Sequence, residues 1–335
     1  MDYAEIKKKY TWLGISFAVF GIVMQAVSLV MELLLKNVDS KIFDNSWVVY
    51  ILGLMPIWAI GFPACLLVAS KIPSKKPEEH DMKLFDLAQV YCMVTFFAIV
   101  MNLVGLVIIS GLEKITGLTL QNTTIDLVSK QDVLPTIIFA VILGPIMEEL
   151  AYRKLLIDKI GQYDKVYAIV LSGLMFGLFH TNIYQFFYTV CIGMLFAYVY
   201  TKTGKIRYSM ILHMCMNFVH GAVPVILSKY LDMELITSLS GANLNDPDVQ
   251  KKVTDMYTNP GFLLYLGYAN LILVLVILGF VVFLIWNIHK KWALDNSESM
   301  LPEKGASKIV FGNLGFILFT LVTIGITIYE IVLLQ

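Results

Sequence analysis

The sequence carries little charge. Of its 335 residues only 15% are charged while 58% are hydrophobic, and the mean hydropathy is +0.75. No water-soluble fold could bury that much apolar surface, so soluble enzymes are excluded. Basic and acidic residues number 25 each. The net charge of zero gives no overall field that would attract nucleic acid, and we expect no nucleic-acid partner.

Cysteine and arginine are also scarce. The four cysteines, Cys65, Cys92, Cys191 and Cys215, lie in apolar runs without a CxxC pair. That pattern is typical of packed side chains and offers neither a disulfide framework nor a metal knuckle. Arginine occurs twice against 23 lysines. This bias favours AT-rich codons and hence a bacterial source.

Long apolar runs are what the sequence has in abundance. A bilayer core about 30 Å thick requires roughly 20 apolar residues per helix. Nine runs approach this length, which predicts an all-α, polytopic helical bundle in the cell membrane, formed as one domain over residues 1–335. The predicted spans are Tyr10–Leu35, Trp47–Ser70, Leu87–Leu112, Leu134–Leu156, Val166–His180, Tyr184–Tyr200, Tyr208–Leu227, Phe262–Trp286 and Ile309–Leu334.

Basic residues alternate between successive connections. With the N-terminus inside, 18 of the 25 fall in cytoplasmic connections and 7 in outer ones, as the positive-inside rule requires. We therefore expect a cytoplasmic N-terminus and an outer C-terminus. The connections 115–133 and 228–261 are predicted to be outer, solvated loops, and 309–334 an additional C-terminal span.

Ionisable side chains within the spans are candidates for function, because each costs about 2.5–3.5 kcal/mol on insertion scales. Glu32 and Glu330 lie near predicted outer helix ends, where interfacial water can reach them, and we interpret them as structural. The remaining ionisable side chains are Glu148, Glu149, His180, His213 and His220.

The two adjacent carboxylates lie in the segment LGPIMEELAYRKLL. Neighbouring helix positions differ by 100°, so Glu148 and Glu149 cannot share a face, whereas Arg153 follows Glu149 by one turn. We expect Glu149 to pair with Arg153 and Glu148 to stay unpaired, free to accept a proton. Pro145 lacks an N–H, which frees a carbonyl one turn earlier and kinks the helix. The alternative is a helix end with three solvated charges.

Two later spans place polar groups on common faces. His180 lies one turn after Phe176, next to small residues, Gly173 and Gly177, that allow close helix approach. The alternative for this histidine is an interfacial position at the end of a span.

In the seventh span His213 and Asn217 are four residues apart, and His220 returns to nearly the same face. Together with the carboxylates, these groups are the parts needed for water-mediated acyl hydrolysis: a base, a group that holds the water, and donors for the oxyanion. Interhelical hydrogen bonding is the alternative. Cys215 points away from His213 on the helix, which argues against a thiol nucleophile.

Three short segments resemble family motifs. EELAYR at 148–153, FGLFH at 176–180 and HMCMN at 213–217 are similar to the EExxxR, FxxxH and HxxxN motifs of the CAAX proteases and bacteriocin-processing enzymes, the CPBP or Abi family. Their order and their placement on helices four, five and seven make the joint match specific. The resemblance covers a catalytic core at about 134–220.

The resemblance implies an all-helical intramembrane endopeptidase whose active site lies in a cavity open to the cytoplasm, acting on a membrane-associated peptide or protein. By motif match, Glu148 with His180 would activate the water, and His213 with Asn217 would stabilise the oxyanion.

The same match gives Glu149, Arg153 and Phe176 the task of bracing the site. Members of the family were long labelled metalloproteases, and zinc held by Glu148, Glu149, His180 and His213 is the alternative. HExxH is absent, and an amide suits an oxyanion better than a metal, so we expect no metal cofactor.

The sequence departs from the eight-helix pattern of the prenyl-protein-processing members by its apparent ninth span. The substrate class therefore stays open between peptide maturation, bacteriocin immunity and regulation of membrane proteins. A non-proteolytic scaffold or immunity protein of the same family is the alternative function. A proton-coupled transporter would need an inverted repeat, which we do not find.

Overall fold

The computed structural model describes residues 2–35, 37–120, 122, 131–231, 243 and 245–333. Within these ranges the regular secondary structure is entirely helical, which confirms the predicted all-α membrane bundle. A short 3₁₀ turn occupies Ser40–Asp44. The helices are α1 Tyr3–Leu35, α2 Ser46–Ala69, α3 Leu84–Thr116, α4 Val133–Ile160, α5 Lys165–Phe179, α6 Ile183–Thr203, α7 Ile206–Ser228, α8 Pro247–Thr258, α9 Pro260–Ile288, α10 Ala306–Val310 and α11 Leu314–Leu333.

Eight of the described helices are long and apolar enough to cross a membrane. The fifth predicted span forms α5, a helix of 15 residues. At 1.5 Å per residue it is about 22 Å long, less than the hydrocarbon core. His180 caps the C-terminal end of α5, so the chain reverses at this residue and returns through α6.

The predicted outer loop 228–261 is more ordered than expected, although residues 232–242 and 244 lie outside the described ranges. Its last part forms α8. At the start of this helix the side chain of Asp246 accepts a hydrogen bond from the N–H of Asp248, and Pro247 occupies the first helical turn. In the connection 115–133, residues 121 and 123–130 also lie outside the described ranges.

An aromatic core joins the first, fourth, fifth and last helices. Phe17 of α1 packs against Tyr152 of α4 and Phe319 of α11, with ring centroids 5.2 and 6.1 Å apart. Tyr152 in turn contacts Phe176 of α5 at 5.3 Å. The additional C-terminal helix is therefore part of the same core as the motif-bearing helices.

The predicted cytoplasmic connections meet at one end of the bundle. The N–H of His80, between α2 and α3, donates to the carbonyl of Thr203 at the end of α6 over 2.8 Å. The N–H of Lys165 donates to Asn296 Oδ1, between α9 and α10, over 3.0 Å. We name this group of connections the polar end.

Candidate active site

Glu148 and Glu149 occupy the middle of α4, between two wider π-helical stretches at 137–143 and 150–155. Such π turns change the direction in which side chains project and often occur at functional sites. The side chain of Glu149 is fully buried, whereas that of Glu148 keeps 25% of its surface exposed. The two carboxylates therefore differ in their exposure to solvent as well as in the direction in which they project from the helix.

Glu149 lies against the guanidinium of Arg153, with Oε2 and Nε 3.3 Å apart and both side chains fully buried. The geometry is that of an ion pair without hydrogen-bond alignment, because both atoms lack a hydrogen-bond partner. Arg153 Nη2 also reaches the carbonyl of Gly193 on α6 at 3.5 Å. A buried charge of this kind depends on its partner. The contact of Arg153 with the Gly193 carbonyl also ties α4 to α6.

His213 of α7 bridges the two carboxylates. Its Nδ1 lies 2.9 Å from Glu149 Oε1 and its Nε2 lies 3.4 Å from Glu148 Oε2. The expectation that Glu148 has no partner is therefore wrong. Side chains 100° apart on one helix can reach opposite nitrogens of the same imidazole ring, and sequence spacing within α4 does not reveal a ring supplied by α7.

We call Glu148, Glu149, Arg153, Phe176, His180 and His213 the cluster. Phe176 lies at its centre. Its ring contacts the rings of His180 and His213 edge to face, with centroids 4.6 and 5.7 Å away. The guanidinium carbon of Arg153 lies 4.4 Å from the same ring. Phe176 thus spaces the two histidines and gives the buried cation a π face.

Two residues of α6 complete the packing and were not predicted from the sequence. Phe196 stacks on His213 with ring centroids 5.1 Å apart. Gly193 leaves room for the cluster, since a Cβ there would lie 3.0 Å from the Phe176 ring and 3.6 Å from Arg153 Nη2. Neither residue belongs to one of the three motifs. The signal in the sequence was the glycine, which interrupts an apolar helix.

His180 reaches the cluster from the end of α5. Its Nδ1 lies 2.8 Å from the carbonyl oxygen of Phe176, which leaves Nε2 free of that bond. The helix α5 carries this residue about 22 Å from Lys165 and ends there. The imidazole ring of His180 packs against Phe176, one turn earlier in the same helix.

Asn217 begins a π-helical stretch of α7 and donates from Nδ2 to the carbonyl of Ala140 over 2.9 Å. In the π-helical register of α4 the N–H of Gly144 bonds to Phe139, five residues back. The next donor in that register would be Pro145, which has no N–H, so the carbonyl of Ala140 is left over. The carbonyl that Pro145 leaves without a donor is therefore one residue earlier in the chain than α-helical spacing predicts. The Asn217 amide donates the missing hydrogen bond to it.

His220 lies apart from these groups. Its Nε2 is 3.2 Å from Thr95 Oγ1 on α3. Glu330, interpreted from the sequence as interfacial, contacts Thr181, the residue after His180.

The four residues named as alternative zinc ligands contact one another or the backbone. Over the described residues no group of three or more His, Cys, Asp or Glu side chains is spaced to hold a metal ion. The carboxylate of Glu149 is already taken up by Arg153 and His213, and His180 Nδ1 by a backbone carbonyl.

A cavity of about 730 Å³ lies at the polar end, where Lys76, Asp164 and Trp286 are among its lining residues. The cluster around His213 does not contribute to its walls. The expected cavity that opens the active site to the cytoplasm therefore does not coincide with this one.

Comparison with known proteins gives two matches. The model of the family described as type II CAAX prenyl endopeptidase Rce1-like matches residues 130–219, which include all seven residues of the three motifs. A Bacillus subtilis (strain 168) protein named "Putative membrane peptidase YdiL" is 28% identical over 172 residues, covering 48% of this chain and 68% of the relative. No solved structure matches. The resemblance to the CAAX proteases that the motifs indicate is therefore confirmed, and it lies in residues 130–219.

Proposed function

We propose that this protein is an intramembrane endopeptidase that hydrolyses a peptide bond of a membrane-associated peptide or protein with water activated by Glu148 and His180. The observation that carries the proposal is the cluster in which the His213 ring joins a partly exposed carboxylate, Glu148, to a sealed one, Glu149. The family match and the peptidase name of the Bacillus subtilis relative support it.

In the proposed reaction Glu148, the accessible carboxylate, takes a proton from the water while the water oxygen attacks the scissile carbonyl carbon. His180 holds the water through Nε2. The proton then passes to the leaving amine as the carbon–nitrogen bond breaks, which returns Glu148 to its starting form.

Oxyanion stabilisation is assigned to His213 and Asn217. In the proposal Glu149 holds the His213 ring at Nδ1, and the Nε2 side of the ring, which faces Glu148, stabilises the oxyanion. The amide of Asn217 has a second N–H besides the one that bonds to Ala140. No step requires a metal ion, and we include metal independence in the proposal.

The test is a proteomic comparison of membrane-bound and released peptides from cells that carry the wild-type protein, Glu148→Ala or Glu32→Ala. Glu32 is an exposed acid in an apolar helix outside the cluster, so its variant is the matched control. We expect a set of peptides released by the wild type and by Glu32→Ala and absent with Glu148→Ala. Identical peptide sets in all three would favour a non-proteolytic scaffold.

The proposed orientation puts the polar end in the cytoplasm and the N-terminus inside. It rests on the distribution of basic residues and on the meeting of the basic connections at one end. In a background without native cysteines, Asn245→Cys should react with an impermeant thiol reagent added outside intact cells. Labelling only after the cells are opened would contradict it.

A further inference from the structure

The C-terminal helix carries an acidic residue into the neighbourhood of His180. Glu330 lies near the end of α11, in an otherwise apolar helix, and is half-buried. Its two carboxylate oxygens lie 3.4 and 3.5 Å from Thr181 Oγ1. A carboxylate in such a helix is costly and needs a partner, and the threonine hydroxyl is the one that it meets.

Thr181 has an unusual backbone. Its φ is +48°, in the left-handed region, which is uncommon for any residue except glycine and unfavourable for a β-branched one. The residue forms the reversal between His180, which caps α5, and Asn182, which caps α6. Strain of this kind persists only where the surroundings hold the residue in place.

The position of α11 is itself well determined. The helix crosses α1 where Gly14 meets Gly315, a contact so close that a side chain on either glycine would collide with backbone atoms of the other helix. Phe319, one turn further along α11, packs into the aromatic core that includes Tyr152. Glu330 is therefore brought to Thr181 by an anchored helix and not by a loose terminus.

We infer that Glu330 is a positioning residue for His180: its carboxylate holds the Thr181 hydroxyl, keeps the reversal in its left-handed conformation and so fixes the imidazole against Phe176. The inference rests on the proposed function for the meaning of His180, but the geometry it predicts can be measured without proteolysis. It assigns a task in the site to α11, a helix that lies outside residues 130–219, the part of the chain that matches the family model.

The experiment measures how fast diethyl pyrocarbonate modifies His180 in the purified full-length protein in lipid nanodiscs, with exposed His289 as the internal reference for each sample. In wild type, the His180 ring is held at Nδ1 by the Phe176 carbonyl. Glu330→Ala should release the reversal and raise the modification rate of His180 about tenfold relative to His289. Glu32→Ala, the matched acidic control, should leave the rate unchanged.

A double-variant cycle separates positioning from general loosening. Glycine adopts positive φ without strain, so Thr181→Gly should keep His180 near its wild-type rate and make Glu330 dispensable. Adding Glu330→Ala to Thr181→Gly should then change the rate less than twofold, roughly the resolution of such a cycle. Glu330→Gln, which keeps an acceptor oxygen and the side-chain shape, should behave almost as wild type and serves if the alanine variant does not fold.

Two results would overturn the inference: an unchanged His180 rate in Glu330→Ala, or an equal acceleration in the wild-type and Thr181→Gly backgrounds. Where a released peptide has been identified, Glu330→Ala should lower kcat for that peptide and leave KM unchanged, because the inference has Glu330 act on Thr181 and through it on His180. A wild-type protein that releases no peptide would refute the proposed function, whereas the His180 rates would still decide whether Glu330 positions the ring.

Discussion

The two arginines of the chain lie in two regions that differ in how far solvent reaches their ion pairs. Arg153 is fully buried in the intramembrane cluster with Glu149, its ion-pair partner, equally buried. Arg207 lies at the polar end, where it pairs with Asp81 over 3.0 Å while their side chains keep 61% and 75% of their surface exposed. Water and salt screen the second pair and not the first. The same type of contact is therefore structural in one region and nearly neutral in the other.

The largest difference between the regions should follow from removing each arginine in turn. Arg153→Met leaves the carboxylate of Glu149 buried without its cation and should lower the free energy of unfolding by about 3–5 kcal/mol. Arg207→Met should have an effect near the limit of measurement, because exposed pairs contribute about 0–1 kcal/mol. Unfolding in lipid nanodiscs measures both. Equal losses in the two variants would show that burial does not set the value of these pairs.

Removing both partners of the buried pair should recover part of that loss. Glu149→Gln combined with Arg153→Met leaves no uncompensated ion, so the pair should show a coupling free energy of about 1–3 kcal/mol in a double-mutant cycle. At the polar end, Asp81→Asn combined with Arg207→Met should show no measurable coupling. Strict additivity at Glu149 and Arg153 would mean that His213, and not Arg153, is the essential partner of that carboxylate.

Tight packing is the second property that separates the cluster from the outer helices. Gly193→Val would place new atoms against the Phe176 ring and should cost about 1–3 kcal/mol of stability. Gly267→Val in α9 is the matched control, because no atom lies within 4 Å of a Cβ added there. Comparable losses at the two glycines would indicate that helix propensity, and not contact with Phe176, determines the result.

The smallest predicted effect is the acid response of the polar end. A hydrogen bond from Lys205, followed by one from Tyr208, holds the pKa of Asp81 below its usual range. A lowered folded-state pKa means that the stabilisation is fully present above the ordinary carboxyl pKa and is lost as the pH falls through the lowered value. The protection factor of the His80 amide, which bonds to Thr203, should therefore fall as the pH is lowered, once the intrinsic slowing of amide exchange in acid has been divided out. Asp81→Asn should remove this pH dependence. A pH dependence that survives the substitution would assign it to another group.

Local spacing predicted a good part of the cluster. Glu149 and Arg153 are four residues apart on one helix, and Gly173 marks a close approach to α6 that the structure contains, where an added Cβ would meet the carbonyl of Val190. The length of the apolar runs also located the helices, because each span must satisfy its backbone hydrogen bonds internally. Each of these features can be predicted from the residues of a single segment.

Contacts between distant segments were not predictable in the same way. The bridge from His213 to Glu149 joins residues 64 positions apart, and that from Glu330 to Thr181 joins residues 149 positions apart. The left-handed φ of Thr181 carries no glycine or asparagine signal in the sequence. The π-helical register leaves the Ala140 carbonyl free to accept a hydrogen bond from Asn217. Packing and Pro145 set this register together, and helix propensity alone does not predict it.

The most direct test of the division between the two carboxylates compares Glu148→Gln with Glu149→Gln in one assay of peptide release and of folded protein per membrane. Glu148→Gln removes the proposed base and keeps its shape, so it should abolish release while the amount of folded protein stays near that of the wild type. Glu149→Gln should lower the amount of folded protein as well, because Arg153 loses its buried partner. Equal folded amounts together with equal loss of release would contradict the division, and undiminished release by Glu148→Gln would contradict the mechanism itself.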